Sequence, residues 1–365
     1  MLELGWAGVD LFFVLSGFLI TGILLDAKGT PHSFRNFYAR RILRIFPLYY
    51  GFLAVTLVAT LVRYETAGSD GLHQIWGAQP WLWTHTANYW HAAQTAWTPW
   101  AEIVVPLWSL SVEEQFYLVW PLVVLRCSQR TLIRVCIGIF VGALVLRLVL
   151  TLTGVHWFTL YAMTPTRADA LAAGALLAAI VRLPDGRRLA RKCANYAGPV
   201  AAILLIVLSG GFDPTRHPWQ RVYLYSALAV FFAALLVWAM DATSLRGVPN
   251  RFYNLRVLRA IGRYSYGIYV LHLPLYYITL LVAARWRLFD PNHPIWAAAL
   301  LLVGVNAVLG GARAVVSFEF FEKPILNMKR FFPATSTRRP ATQADRVPIS
   351  SPPLSSPSAT RAATL

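Results

Sequence analysis

Long apolar runs, broken by short basic or aromatic stretches, set the pattern of this chain. Runs at 9–25, 48–62, 106–125, 132–152, 197–208, 222–240 and 295–318, with two more opening at Thr166 and around Tyr266, predict nine helices. A bilayer is crossed by roughly 17–25 mostly apolar residues, and several runs reach that length. No alternating strand pattern competes with them, so the predicted fold is an all-α polytopic membrane helix bundle of about nine spans. The stretch 63–102 reads as a long polar loop holding Trp76, Trp81, Trp83, Trp90, Trp97 and Trp100 with His73, His85 and His91. Such a loop fits an interfacial aromatic belt, or less simply a surface that stacks on sugar rings. A short loop at 154–166 and a turn at 210–218 are also expected. From Pro333 the chain turns rich in Pro, Ser, Thr and Ala and lacks the apolar residues to fold. The domain organisation is therefore a membrane domain over 1–332 and a disordered cytoplasmic tail over 333–365.

Charge gives the bundle its orientation. Arg40, Arg41 and Arg44, then Arg126, Arg130 and Arg134, then Arg187, Arg188, Arg191 and Lys192, then Arg246 through Arg263 mark every second connection. Basic connections stay on the cytoplasmic side, so the N-terminus is predicted outside and the C-terminus inside. This distribution explains a formal charge of +17 without nucleic acid, for no basic run is interleaved with exposed aromatics. A hydrophobic fraction of 57% and a mean hydropathy of +0.52 exceed what a soluble domain carries. Cys127, Cys136 and Cys193 form no Cys-x-x-Cys pair, which argues against a disulfide framework or a zinc site. No basic leader with a small-residue cleavage site precedes the first run, so no cleavable signal peptide is predicted.

The chemistry is expected where charge enters the apolar runs. Glu113 and Glu114 lie inside 106–125, where an acidic side chain costs about 2.5–3.5 kcal/mol at membrane depth. Ser109, Glu113, Phe116 and Tyr117 fall at i, i+4, i+7 and i+8 and share one helix face, with Glu114 about 100° further round. The plainer reading places both acids among the outer headgroups. Asp10 opens the first run, where negative charge suits a helix N-terminus. Arg40, Arg41 and Arg44 would stand on adjoining turns, and guanidinium forks grip phosphates. Arg147 is embedded in the fourth run. The Ala/Gly-rich segment after Thr166-Arg167-Ala168-Asp169 permits close helix contact.

Several of these segments together resemble the acyltransferase-3 family of integral membrane O-acyltransferases. They are Gly8-Val9-Asp10-Leu11-Phe12-Phe13-Val14-Leu15-Ser16-Gly17-Phe18, Arg40-Arg41-Ile42-Leu43-Arg44-Ile45-Phe46-Pro47-Leu48-Tyr49, the Ser109/Glu113/Phe116/Tyr117 pattern, Tyr266-Gly267-Ile268-Tyr269-Val270-Leu271-His272-Leu273-Pro274, and Glu322-Lys323-Pro324. The resemblance implies ten spans, a bacterial inner-membrane location, and transfer of an acyl group, usually acetyl, from cytoplasmic acyl-CoA to a carbohydrate or glycan hydroxyl. It implies no permanently bound cofactor, with acyl-CoA as donor substrate and the lipid bilayer, glycan and acyl-CoA as partners. Arg41 and Arg44 would hold the donor. Glu113 and Asp10 would act in the core cavity, and Ser109 and Tyr117 would hydrogen-bond the substrate. The family's catalytic histidine sits on a first helix that precedes the segment resembling Gly8–Phe18. A downstream start site or a true truncation would each account for its absence. His272 is the candidate substitute, against the plainer reading of a buried histidine satisfied by a backbone carbonyl. A transporter or flippase, or a non-catalytic family member, are the rival classes.

Overall fold

The computed structural model describes residues 6–62, 68–94, 99–208, 218–244, 254–285 and 296–333. Among them every regular element is helical. In chain order these are α1 (Ala7–Ala27), α2 (Ser33–Val62), α3 (Gly68–Trp83), α4 (Ala87–Ala93), α5 (Pro99–Val104), α6 (Leu107–Arg126), α7 (Gln129–Leu152) and α8 (Trp157–Ala162). There follow α9 (Thr164–Ile180), α10 (Gly186–Leu208), α11 (Pro218–Ser244), α12 (Arg256–Arg285) and α13 (Trp296–Ser317). A π-helical turn (Phe318–Glu322), α14 (Lys323–Leu326) and a 3₁₀ turn (Asn327–Phe331) close the described chain.

Each predicted run has a helix, and among the described residues six helical segments are long and apolar enough to cross a membrane: Ala7–Ala27, Ser33–Ala59, Gln129–Leu152, Trp219–Asp241, Arg256–Val282 and Leu302–Phe331. The remaining three differ for readable reasons. Helix α6 carries Glu113, Glu114 and Gln115 at its centre, α9 has only 17 residues, and the first half of α10 holds Arg187, Arg188, Arg191 and Lys192. Basic residues expected in loops lie instead on helices, because Arg and Lys have good helix propensity and extend an apolar helix at little cost. Thus α2 is one 30-residue helix from Ser33, with the arginine segment as its first half.

The stretch 63–102 differs from the expected loop: its described residues form α3, α4 and the start of α5. Ile75, Ala78 and Leu82 recur at i, i+3 and i+7 and are fully buried beside Tyr49, Phe52 and Leu53 of α2. Trp76, Trp81 and Trp83 are exposed, whereas Trp90 is buried. The short loop at 154–166 likewise contains α8. Trp97, the turn at 210–217 and the tail from 334 lie outside the described residues.

Helices α1 and α9 form the tightest contact. A Cβ on Gly17 would stand 2.0 Å from the carbonyl oxygen of Leu171, and one on Gly174 would stand 1.9 Å from that of Val14. Only hydrogen fits at either position, which lets the two backbones touch as small-residue helix pairs do in membranes. Helix α6 is tied to α1 by Trp120, whose indole N–H donates to Thr21 at 2.8 Å. Helix α12 is tied to α2 by Tyr266, whose hydroxyl donates to the Ile45 carbonyl at 2.8 Å.

Candidate active site

The shared face predicted on α6 exists, and it is buried: Ser109 is 0% exposed, Glu113 5% and Tyr117 2%. Glu113 is not a solvated surface acid. The Ser16 hydroxyl of α1 donates to its Oε1 at 2.5 Å, and the Tyr117 hydroxyl donates to the same oxygen. Ser16 and Tyr117 also hydrogen-bond each other. Above them the Arg41 guanidinium of α2 lies 4.7 Å from the centroid of the Tyr117 ring. A carboxylate fed by two hydroxyls and faced by a cation is arranged to hold or pass a proton, which acyl transfer to a hydroxyl requires.

The three arginines diverge although they share two turns. Arg40 donates to the Phe332 carbonyl at 2.9 Å, Arg41 covers Tyr117, and Arg44 is exposed. Ser109 shares the face of Glu113 but turns to α12, where it lies 2.5 Å from the Tyr269 hydroxyl and donates to the Pro106 carbonyl at 3.1 Å. His272 follows Tyr269 by one turn. Its Nδ1 lies 2.5 Å from the Tyr269 carbonyl, as the plainer reading held, but the residue is exposed rather than buried.

Asp10 joins a second polar centre. It caps nothing: its carboxylate takes a hydrogen bond from Arg167 of α9 at 2.8 Å, with both side chains fully buried. The Arg167 guanidinium rests 4.0 Å from the Tyr225 ring centroid and 5.3 Å from that of Tyr161. Beside it Arg147 pairs with Asp169 at 2.7 Å, and Ser226 donates to the same Asp169 oxygen at 2.7 Å. Arg147 also donates to the carbonyls of Val222, at 3.1 Å, and Thr166. Buried charges paired and hydrogen-bonded in this way are the form in which membrane interiors tolerate them.

A third group gathers where α3 meets α4. The Gln115 amide of α6 donates to the His85 carbonyl and to Asn88, each at 2.9 Å, and so holds the non-helical turn at the level of Glu114. Asn88 donates in turn to Thr164 at 3.1 Å. Burial pushes the imidazoles of His85 and His91 down to about 4, so both are neutral at neutral pH.

A family model described as an acyltransferase domain matches residues 3–309. The chain belongs to the acyltransferase-3 family. It is 31% identical over 339 residues to the peptidoglycan O-acetyltransferase OatA of Listeria monocytogenes, which covers 88% of this chain and 51% of that relative. It is 26% identical over 337 residues to the O-acetyltransferase OatA of Staphylococcus aureus, covering 88% of this chain and 52% of the relative. The chain spans about half the length of the curated relatives it matches. No solved structure matches it.

In this acyltransferase-3 chain Tyr117 meets Glu113, as their shared helix face predicts, and Arg41, expected apart at the donor, covers Tyr117. Asp10, expected in one core cavity with Glu113, pairs instead with Arg167, and His272 turns to its own helix backbone. The sequence pattern passed over Ser16 and the partners of Asp10. The signal for Arg167 and Asp169 was available: two opposite charges open an otherwise Ala-rich apolar helix.

Proposed function

We propose that this chain is the membrane part of an O-acyltransferase that moves an acyl group, in the first place acetyl, from cytoplasmic acyl-CoA to a hydroxyl of a carbohydrate or glycan. The observation that carries the reading is the buried Glu113 carboxylate, hydrogen-bonded by Ser16 and Tyr117 and roofed by Arg41. Family membership and the names of the two relatives, both O-acetyltransferases and one of them a peptidoglycan O-acetyltransferase, support the same chemistry. A bacterial inner-membrane location with nine spans fits the alternation of basic connections.

In this reading Arg41 and the exposed Arg44 meet the phosphates of the donor, as guanidinium forks do. Glu113 receives the proton of the attacking hydroxyl, directly or through Tyr117. Ser109 and Tyr269 position the acceptor. Asp10 acts through Arg167 as a positioning residue. His272, exposed and bound to its own helix backbone, has no part in the transfer. The reading is tested by Arg44→Ala and Glu113→Gln. Each abolishes acetyl transfer in isolated membranes while the protein inserts at the wild-type level. Full activity in both variants removes the proposed site.

A further inference from the structure

Beside the Glu113 cluster several aromatic and polar groups are left without a task. Neither ring nitrogen of His85 has a hydrogen-bond partner in the protein, although the residue is 8% exposed. Its ring lies 4.2 Å from Tyr49, 5.2 Å from Phe46 and 5.5 Å from Tyr50, centroid to centroid. Glu114 Oε1 is also unpartnered, and Glu114 lies within electrostatic reach of the same Tyr49 and Tyr50. Trp83 stacks on Tyr50 at 5.3 Å with the planes 10° apart, and it remains 40% exposed. The Trp83 indole N–H donates to Gln79 at 2.9 Å, which fixes the ring. His85 holds φ at 54°, a left-handed conformation uncommon for a residue with a side chain.

A packed core has no use for an imidazole and a carboxylate oxygen without partners, since each costs its desolvation. An interfacial tryptophan needs no immobilised stack beneath it. A sugar ring matches all three features, for its C–H face covers an aromatic plane while its hydroxyl and amide groups reach an imidazole and a carboxylate. We infer that Trp83, Tyr50, His85 and Glu114 form a carbohydrate subsite that takes a ring of the glycan acceptor. The inference deepens the O-acyltransferase reading and rests on it for the acceptor role. Its position is suitable. Glu114 adjoins Glu113, and Phe46 to Tyr50 follow Arg44 along α2 by roughly 3–9 Å of helix rise. The acceptor thus lies next to the donor clamp.

The test is equilibrium binding of radiolabelled chitopentaose, an uncharged N-acetylated sugar oligomer, to the full chain in nanodiscs, without acyl donor. Wild type binds it. Trp83→Ala and His85→Ala weaken binding by about tenfold or more, as loss of an aromatic or desolvated polar anchor does. Trp83→Phe recovers most of the affinity. Trp219→Ala, exposed on α11, changes nothing. Melting temperatures are recorded for each variant, and Trp83 is exposed enough for Trp83→Ala to fold. Wild-type affinity in Trp83→Ala, or no binding by wild type, overturns the subsite. Because no donor is present, the two ideas fail separately. A wild type that acetylates another acceptor but ignores chitopentaose sinks the subsite alone. One that binds chitopentaose through Trp83 but never consumes acetyl-CoA sinks the enzyme reading alone.

Discussion

Replacing Asp10 by leucine leaves the Arg167 guanidinium charged, fully buried and without its carboxylate. The pair is closed at 2.8 Å with both side chains at 0% exposure, so no solvent can substitute for the lost partner. Arg167 Nε and Nη1 already have no hydrogen-bond partner in the protein, which leaves the rings of Tyr225, Tyr161 and Phe13 around it and only the more distant charge of Asp169, itself paired to Arg147. Cation–π contact supplies about 0.5–2 kcal/mol, whereas breaking a buried pair costs about 3–5 kcal/mol. A net loss near 3 kcal/mol, at about 2 °C per kcal/mol for a chain this long, lowers Tm by roughly 6 °C. The reverse change, Arg167→Met, costs less, because an aspartate can shed its charge by binding a proton and an arginine cannot. The double variant Asp10→Leu/Arg167→Met recovers most of the stability, since a well-packed apolar pair replaces a buried ion pair at little cost. Thermal melting of the four proteins in one detergent completes the cycle. A Tm for Asp10→Leu within 1 °C of wild type, or a double variant no better than Asp10→Leu, refutes the reasoning.

Other outcomes follow from the same geometry. Gly174→Leu places a side chain where even a Cβ would be 1.9 Å from the Val14 carbonyl, so α1 and α9 separate and membrane yield collapses; Gly77→Ala, with open space around it, expresses as wild type. His85 and His91 hold pKa values depressed to about 4 against about 6.5 unfolded, so their stabilisation is complete above pH 6.5 and is lost as pH falls toward 4. Melting curves therefore decline between pH 6.5 and 4, by at most about 1.4 kcal/mol per pH unit per histidine, and His91→Leu flattens that decline. Arg41→Lys keeps the charge but loses the flat guanidinium face over Tyr117, and raises the KM for acetyl-CoA more than it lowers kcat.

The sequence patterns were most informative where one helix carries the whole message. Glu113 and Tyr117 stand four residues apart, so their meeting is dictated by the helix alone. The limits of α1 and α7 follow from apolar runs ending at polar residues. What joins separate helices was not legible. Ser16 reaches Glu113 across 97 positions and Arg167 reaches Asp10 across 157, and no periodicity encodes such distances. Helix α3 was hidden for another reason. Its tryptophans and Pro80 suggest a loop, while the buried apolar stripe among its described residues is Ile75, Ala78 and Leu82. Six of the expected spans are apolar enough by length and composition among the described residues; Glu113 to Gln115 and the basic half of α10 lower the apolarity of two of the others.

The central claim is that the Glu113 carboxylate, hydrogen-bonded by Ser16 and Tyr117 beneath Arg41, is where the proton of the acceptor hydroxyl goes. It is tested most directly by following radiolabelled acetyl from acetyl-CoA to glycan in membranes containing wild type or Glu113→Gln at equal protein level. Loss of a general base predicts a fall of about 10²–10⁴-fold in transfer, with melting temperature and acetyl-CoA binding retained. Transfer by Glu113→Gln within twofold of wild type would contradict the account.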